Sequence, residues 1–197
     1  MPKARPWSLR IGGKAVARRD WIPTRDECLA MLDEERVPDK VKEHILAVAG
    51  LAMKIGERMK EAGVDVDLAV IEAGALLHDI GRARTHGMRH ALEGTYVLAE
   101  KGVSQKVIDV VLNHIGAGLD KDEAGRLGLP AQDYIPVTLE QKVVSASDNL
   151  FSGSKRILVK EEMRHLEKKG QPNAARKVGT LHRELCEIVG VDLDDMA

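Results

Sequence analysis

The run of apolar residues between positions 41 and 77 constrains the fold of this chain more than any other feature. Val41, Ile45, Val48, Ala52, Ile55 and Met59 are separated by steps of 4, 3, 4, 3 and 4. That spacing draws one stripe along a helix and fits no strand. Pro38 precedes the stripe, and proline is tolerated at the first helical position. A helix is therefore predicted from Pro38 to near Gly63. The segment that follows, Leu68–Leu77, is apolar almost all round, with Asp67 as its N-cap. A helix of that kind belongs in the middle of a bundle.

Local signals divide the rest of the chain. Thr24 and Glu27 form a capping-box pattern, which opens a helix running to about Arg36. His90–Lys101 reads as a helix stopped by Gly102, and Ser104 starts another with Val107, Ile108, Val111 and Leu112 on its apolar face. Thr138 and Gln141 repeat the capping-box pattern for a helix through Leu150. Two more helices are expected near 156–169 and 173–189, with Gly170 and Pro172 between them. Residues 81–87 form a short polar loop rich in Arg and His. Residues 115–137 read as a long connection holding Gly116, Gly118, Gly125, Gly128, Pro130 and Pro136, with one short helical turn suggested by Asp120 and Glu123. Loops this long in a compact domain are often functional, and Asp133 and Tyr134 are its candidates for specificity. No strand pattern of useful length is present.

Composition supports helices. Aromatic residues make up 3% of the 197 and apolar residues 44%, so the core must be aliphatic. The expected organisation is an extension with little regular structure over 1–22, a helical core over 23–152, and C-terminal helices packed on it over 153–197. A net charge of −1 argues against a general nucleic-acid binder. Charge is uneven, however. Lys3, Arg5, Arg10, Lys14, Arg18 and Arg19 crowd the first twenty residues against Asp20 alone. This arm reads as solvated, or as a docking arm for an anion or a partner. Cys28 and Cys186 are far apart and share no metal-binding spacing, which fits a reducing compartment and a cytoplasmic location. No apolar run reaches membrane-spanning length, and no apolar segment follows the basic N-terminus.

The candidate chemistry lies in the histidines. Five of the seven fall between residues 44 and 114. His44 lies beside the long apolar stripe. His78 and Asp79 end the most buried helix, His90 begins the next, and His114 ends the one after it. Asp148 sits among apolar neighbours on the helix opened by Thr138. Each alone reads as a satisfied core group. Together they would leave several polar groups unpaired in one aliphatic core, at about 1–3 kcal/mol each. A divalent cation removes that cost, because imidazole and carboxylate are its ordinary ligands, and bundle interiors are built to hold such sites.

The ordered set His44, His78-Asp79, His90, His114 and Asp148 resembles the HD superfamily of metal-dependent phosphohydrolases. Leu76-Leu-His-Asp-Ile-Gly81 and His90-x-x-x-Gly94 carry the likeness, which covers about residues 38–152. Thr85-His86-Gly87 and Leu127-Gly-Leu-Pro130 also look like segments of small prokaryotic HD proteins. The resemblance implies an all-α HD-domain helical bundle with N- and C-terminal helical additions. It implies that His44, His78, Asp79 and Asp148 hold one divalent ion, with Asp79 bridging to a second held by His90 and His114. Fe, Mn, Zn, Ni, Co and Mg are the candidate ions. Many relatives carry Lys three residues after the Asp. This chain has Arg82, which keeps the charge and binds phosphate bidentately but is a poorer proton donor.

The implied reaction is hydrolysis of a small-molecule phosphate ester by metal-activated water, with Asp79 and Arg82 catalytic. Arg82, Arg84, His86 and Arg89 are the candidates for holding the phosphoryl group; they also read as a solvated basic loop. Related substrates include nucleotides, dinucleoside polyphosphates and cyclic phosphates such as that of a pterin precursor. Two readings from other classes stand beside this one. The first is a regulatory module whose metal is structural, and the second is nucleic-acid binding through the basic arm. No membrane partner is expected, and homo-oligomers are left open.

Overall fold

Helices dominate the computed structural model, which describes residues 20–196 together with the backbone of 10–11 and 14–15. The predicted basic arm therefore lies largely outside the described residues. Within it, β1 (Arg10–Ile11) pairs antiparallel with β2 (Lys14–Ala15). Nine α-helices follow among the described residues: α1 (Arg25–Glu34), α2 (Asp39–Glu61), α3 (Leu68–Leu77), α4 (His90–Lys101), α5 (Gln105–Asn113), α6 (Lys121–Arg126), α7 (Leu139–Asp148), α8 (Val159–Lys168) and α9 (Pro172–Val189). A 3-10 turn spans Ile80–Ala83, a second spans Leu193–Asp195, and a hairpin joins β3 (Phe151–Ser152) to β4 (Lys155–Arg156).

The stripe and the apolar helix become the centre of the molecule. Ile45, Val48, Ala52, Ile55 and Met59 of α2 are fully buried, and α3 buries Val70, Ile71, Ala73, Gly74, Ala75, Leu76 and Leu77. Each such Leu or Ile contributes roughly 1.5–3 kcal/mol by leaving water. Leu181, Leu185 and Val189 of α9 and Leu193 beyond it join the same apolar cluster. No helix among the described residues is long and apolar enough to cross a membrane.

Several local expectations need correction. Pro38 stands just outside α2 as its N-cap, with ψ 143°, and its carbonyl accepts from the N–H groups of Val41 and Lys42. Thr24 and Glu27 form a complete capping box, but the pair at Thr138 is only half made. The Thr138 hydroxyl accepts from Gln141 N–H, while the Gln141 side chain accepts from Val137 N–H, one residue early. The helix begun there stops at Asp148 rather than Leu150, and the chain turns at once into the β3–β4 hairpin. Two-residue strands are too short for alternation to show.

The long connection is also more ordered than a loop. Asp120 and Glu123 make a full capping box for α6. Leu119 and Tyr134 exchange two backbone hydrogen bonds, and Ala124, Leu129 and Tyr134 form a small second core.

Candidate metal centre

Five of the six candidate ligands sit at helix ends. His78 is the C-cap of α3 and Asp79 follows it; His90 is the first residue of α4; His114 is the C-cap of α5; Asp148 is the last residue of α7. His44 alone lies within a helix, α2. Three helix C-termini thus meet at one end of the bundle. Each brings partial negative charge, which favours a cation.

Helix C-termini also leave carbonyls without partners, and His78 and His114 use them, while His90 uses a carbonyl of the loop before α4. His78 Nδ1 lies 2.8 Å from Ala75 O, His90 Nδ1 2.8 Å from Gly87 O, and His114 Nδ1 2.7 Å from Val111 O, three residues back in every case. His44 Nδ1 lies 2.8 Å from Gly153 O in the turn of the β3–β4 hairpin. A carbonyl can only accept, so each Nδ1 carries the hydrogen and donates it. In the neutral rings the four Nε2 atoms are left as lone-pair donors, and they converge.

Their spacing is that of ligands around ions. His44 Nε2 lies 3.2 Å from His78 Nε2, and His90 Nε2 lies 3.1 Å from His114 Nε2. Metal–nitrogen bonds of about 2.0–2.1 Å separate neighbouring ligands by roughly 3 Å. The carboxylates complete both groups. Asp148 Oδ1 lies 2.9 Å from His44 Nε2 and 3.8 Å from His78 Nε2. Asp79 divides its oxygens: Oδ1 faces His90 and His114 at 3.1 and 3.7 Å, and Oδ2 faces His44 and His78 at 3.8 and 3.7 Å. Asp79 is 2% exposed, and its Oδ1 makes no hydrogen bond. A buried carboxylate oxygen without a hydrogen, ringed by imidazole lone pairs, is suited to a cation. Tautomers locked by backbone carbonyls are the usual outer support of metal-binding histidines.

Charge in the metal-free cluster follows from burial and from these pairs. Burial opposes protonation of His44, but the Asp148 carboxylate outweighs it and raises the imidazole to about 9. Burial pushes His78 down to about 4. Between pH 6.5 and 9, folded metal-free protein therefore holds a proton on His44 that free histidine would have lost. Ligation requires the neutral ring. Zinc titrated calorimetrically at pH 7.5 is thus expected to release protons, that of His44 among them, with a heat that changes with the buffer's ionisation enthalpy. A heat independent of buffer would contradict this placement of the proton.

The basic loop divides. Arg82 Nε donates to Asp79 Oδ2 at 2.5 Å, and its other nitrogens reach His86 O and His90 Nε2 at 3.4 and 3.5 Å. Arg82 therefore stands at the cluster, only partly exposed. Arg84 instead faces Glu35 and Glu100, at 3.8 and 3.7 Å, and Arg89 faces Glu93 at 3.9 Å. His86 is exposed and meets Arg82 through its carbonyl. The structure therefore brings only Arg82 of these four side chains to the ligands. Asp133 and Tyr134, expected to set specificity, serve the fold. Asp133 accepts from Lys121 N–H at the start of α6, and the buried Tyr134 hydroxyl donates to Pro130 O.

Sequence reading missed the supports. Gly116 O accepts from both Ser145 Oγ and Asn149 Nδ2, tying the chain beyond His114 to the helix that carries Asp148. Gly81 lets the 3-10 turn after Asp79 lie against α4: a Cβ there would meet His90 O at 2.0 Å and Gly94 N at 2.5 Å. The two glycines of the quoted motifs were the visible signal of this contact.

The tRNA (cytidine(56)-2'-O)-methyltransferase of Picrophilus torridus is 39% identical over 176 residues, 89% of this chain but 50% of that protein. The chain thus spans about half the length of this relative. An uncharacterized protein of Methanocaldococcus jannaschii is 44% identical over 131 residues, 66% of this chain and 78% of that one. The phosphodiesterase PgpH HD domain of L. monocytogenes, solved with cyclic-di-AMP, superposes with a TM-score of 0.50 at 18% identity, covering 81% of this chain and 96% of that one. At that identity the likeness speaks for the fold. The family model described as HD domain matches residues 41–152, a span that contains all six candidate ligands. The chain belongs to the HD-domain family.

Proposed function

We propose that this chain is a metal-dependent phosphohydrolase, cleaving a phosphomonoester or phosphodiester of a nucleotide-like small molecule at a dinuclear centre. One observation carries the reading: the two oxygens of Asp79 face two separate pairs of imidazole Nε2 atoms, each at ligand spacing. Divalent ions bound there would supply Lewis acidity and a water nucleophile at neutral pH. The chain's own residues do the rest. His44, His78 and Asp148 would hold one ion and His90 and His114 the other, with Asp79 common to both. The backbone carbonyls behind the rings keep the lone pairs aimed inward. Arg82 places a permanent positive charge beside the bridging carboxylate, where it can bind a phosphoryl oxygen. Because guanidinium keeps its proton, Arg82 stabilises charge rather than protonating the leaving group.

Release of nitrophenol from mono- and bis-nitrophenyl phosphate tests this. Hydrolysis is expected with Mn(II) or Fe(II), and its abolition is expected on chelation. The same ions added to a panel of phosphorylated metabolites would rank substrates. Hydrolysis of neither ester at saturating metal would defeat the proposal.

The P. torridus relative favours a second reading, in which the chain acts on RNA. Its identity runs along 89% of this chain. On that reading the phosphoester is an RNA linkage, or the chain takes part in tRNA ribose methylation. Metal-independent methyl incorporation into tRNA would replace the hydrolase proposal; metal-dependent RNA cleavage would narrow it.

A further inference from the structure

A second donor set lies at the far end of α9, outside the HD cluster. His182 and Cys186 are four residues apart on that helix and so share one face. Gly190 ends the helix in the left-handed region at φ 77°, and the chain returns to place Asp192 against both. His182 Nε2 lies 3.0 Å from Asp192 Oδ1, and Cys186 Sγ lies 3.7 Å from the same oxygen. One donor atom from each of the three falls within 4.8 Å of the others.

We infer that His182, Cys186 and Asp192 form a site for a single borderline-soft divalent ion of the zinc class. Bonds of about 2.0–2.2 Å to nitrogen and oxygen and about 2.3 Å to sulfur give tetrahedral edges of roughly 3.4 Å for N···O and 3.6 Å for S···O. The observed S···O separation of 3.7 Å matches its edge, and the N···O separation of 3.0 Å, now a hydrogen bond, has to open by about 0.4 Å to admit the ion. As a hydrogen bond, the Cys186 thiol donates to Asp192 Oδ1 at 3.7 Å. The same separation also fits a tetrahedral ligand edge. His182 is 9% exposed, and its Nδ1 has no hydrogen-bond partner, so the ring's polar contact is made inside this trio. Leu193 N–H donates to Cys186 Sγ at 3.3 Å, support that a thiolate needs. The helix C-terminus adds negative potential. Thiolate and imidazole together select zinc or cobalt over magnesium or calcium. On binding, the thiol proton passes to solvent, and three protein ligands leave a fourth position for water.

The site has a structural consequence. Leu193, fully buried beside it, accepts from Arg156 Nη2 of β4 at 2.7 Å. Asp194 accepts from Val159 N–H at the start of α8. An ion here would pin the C-terminal turn onto the hairpin whose Gly153 carbonyl orients His44.

Cobalt(II) titration of the full chain, read by near-ultraviolet absorption, separates this site from the HD cluster, which contains no cysteine. A thiolate-to-cobalt charge-transfer band is expected. It should vanish in Cys186→Ser and persist in Cys28→Ser, whose thiol is fully buried elsewhere. His182→Ala, which keeps the thiol, should weaken the band's apparent affinity more than about tenfold. Circular dichroism confirms folding, and Cys186→Ala replaces any variant that fails that check. No band at saturating cobalt, or a band surviving in Cys186→Ser, overturns the inference. Neither result depends on whether the chain hydrolyses phosphate esters.

Discussion

Asp79→Ala is expected to empty the HD cluster of metal and to lower phosphoester hydrolysis by about a thousandfold or more. The reason is geometric. Among the described residues, Asp79 is the only carboxylate whose two oxygens face both imidazole pairs, Oδ1 toward His90 and His114 and Oδ2 toward His44 and His78. Without it, four Nε2 atoms and the Arg82 guanidinium converge with Asp148 as the one remaining anion, and Asp148 lies on the His44 side. Metal-assisted stabilisation of the transition state amounts to several kcal/mol. Losing about 4 kcal/mol corresponds to about a thousandfold in rate. Metal content by mass spectrometry and nitrophenyl ester hydrolysis are the measurements, with circular dichroism to confirm the fold. If the variant kept both its metal and its activity, the proposed mechanism would be wrong.

Gly81→Ala is expected to destabilise the chain by about 3 kcal/mol or more. The added Cβ would lie 2.0 Å from His90 O and 2.5 Å from Gly94 N. Both atoms are backbone, so no rotamer change relieves the clash. Either the 3-10 turn carrying Arg82 or the start of α4 must move. For a chain of this size the melting temperature should fall by roughly 6–12 °C. His90 starts α4 and moves with it, so metal held by His90 and His114 should be lost first. Gly50→Ala is the control. Gly50 lies inside α2 with nothing within 4 Å of the added Cβ, so that change should be neutral or stabilising by up to about 1 kcal/mol. Equal stability of Gly81→Ala and the wild type would show that the close contact between turn and helix is not formed.

Helix identity was legible because it is written in local spacing. The 4-3-4-3-4 stripe became α2, and the nearly all-apolar decamer became α3 with the expected bounds. Capping at Thr24 and Asp120 was equally readable, since each box spans four residues. The six candidate ligands were legible for another reason. Polar side chains at apolar positions of several helices have to share a purpose.

What tertiary structure alone decided is how those ligands are aimed and which neighbours reach them. His44 takes its orientation from Gly153, 109 residues away, through a hairpin too short to leave a pattern. Arg82, Arg84 and Arg89 look alike in sequence, yet acidic residues set the partners of the last two. Asp133 and Tyr134, candidates for specificity in the sequence, each hold a backbone partner across the loop: Lys121 N–H donates to Asp133 and the Tyr134 hydroxyl donates to Pro130 O. Cys186 has no cysteine partner nearby in sequence, but a turn after Gly190 brings Asp192 to it and to His182. Residue types and helical periodicity are properties of neighbours along the chain, so the sequence alone determined an aliphatic helical bundle carrying six histidine and aspartate side chains of the metal-ligand type. Hydrogen-bond direction and ion pairing depend on contacts between distant segments, which come into being only when the helices pack.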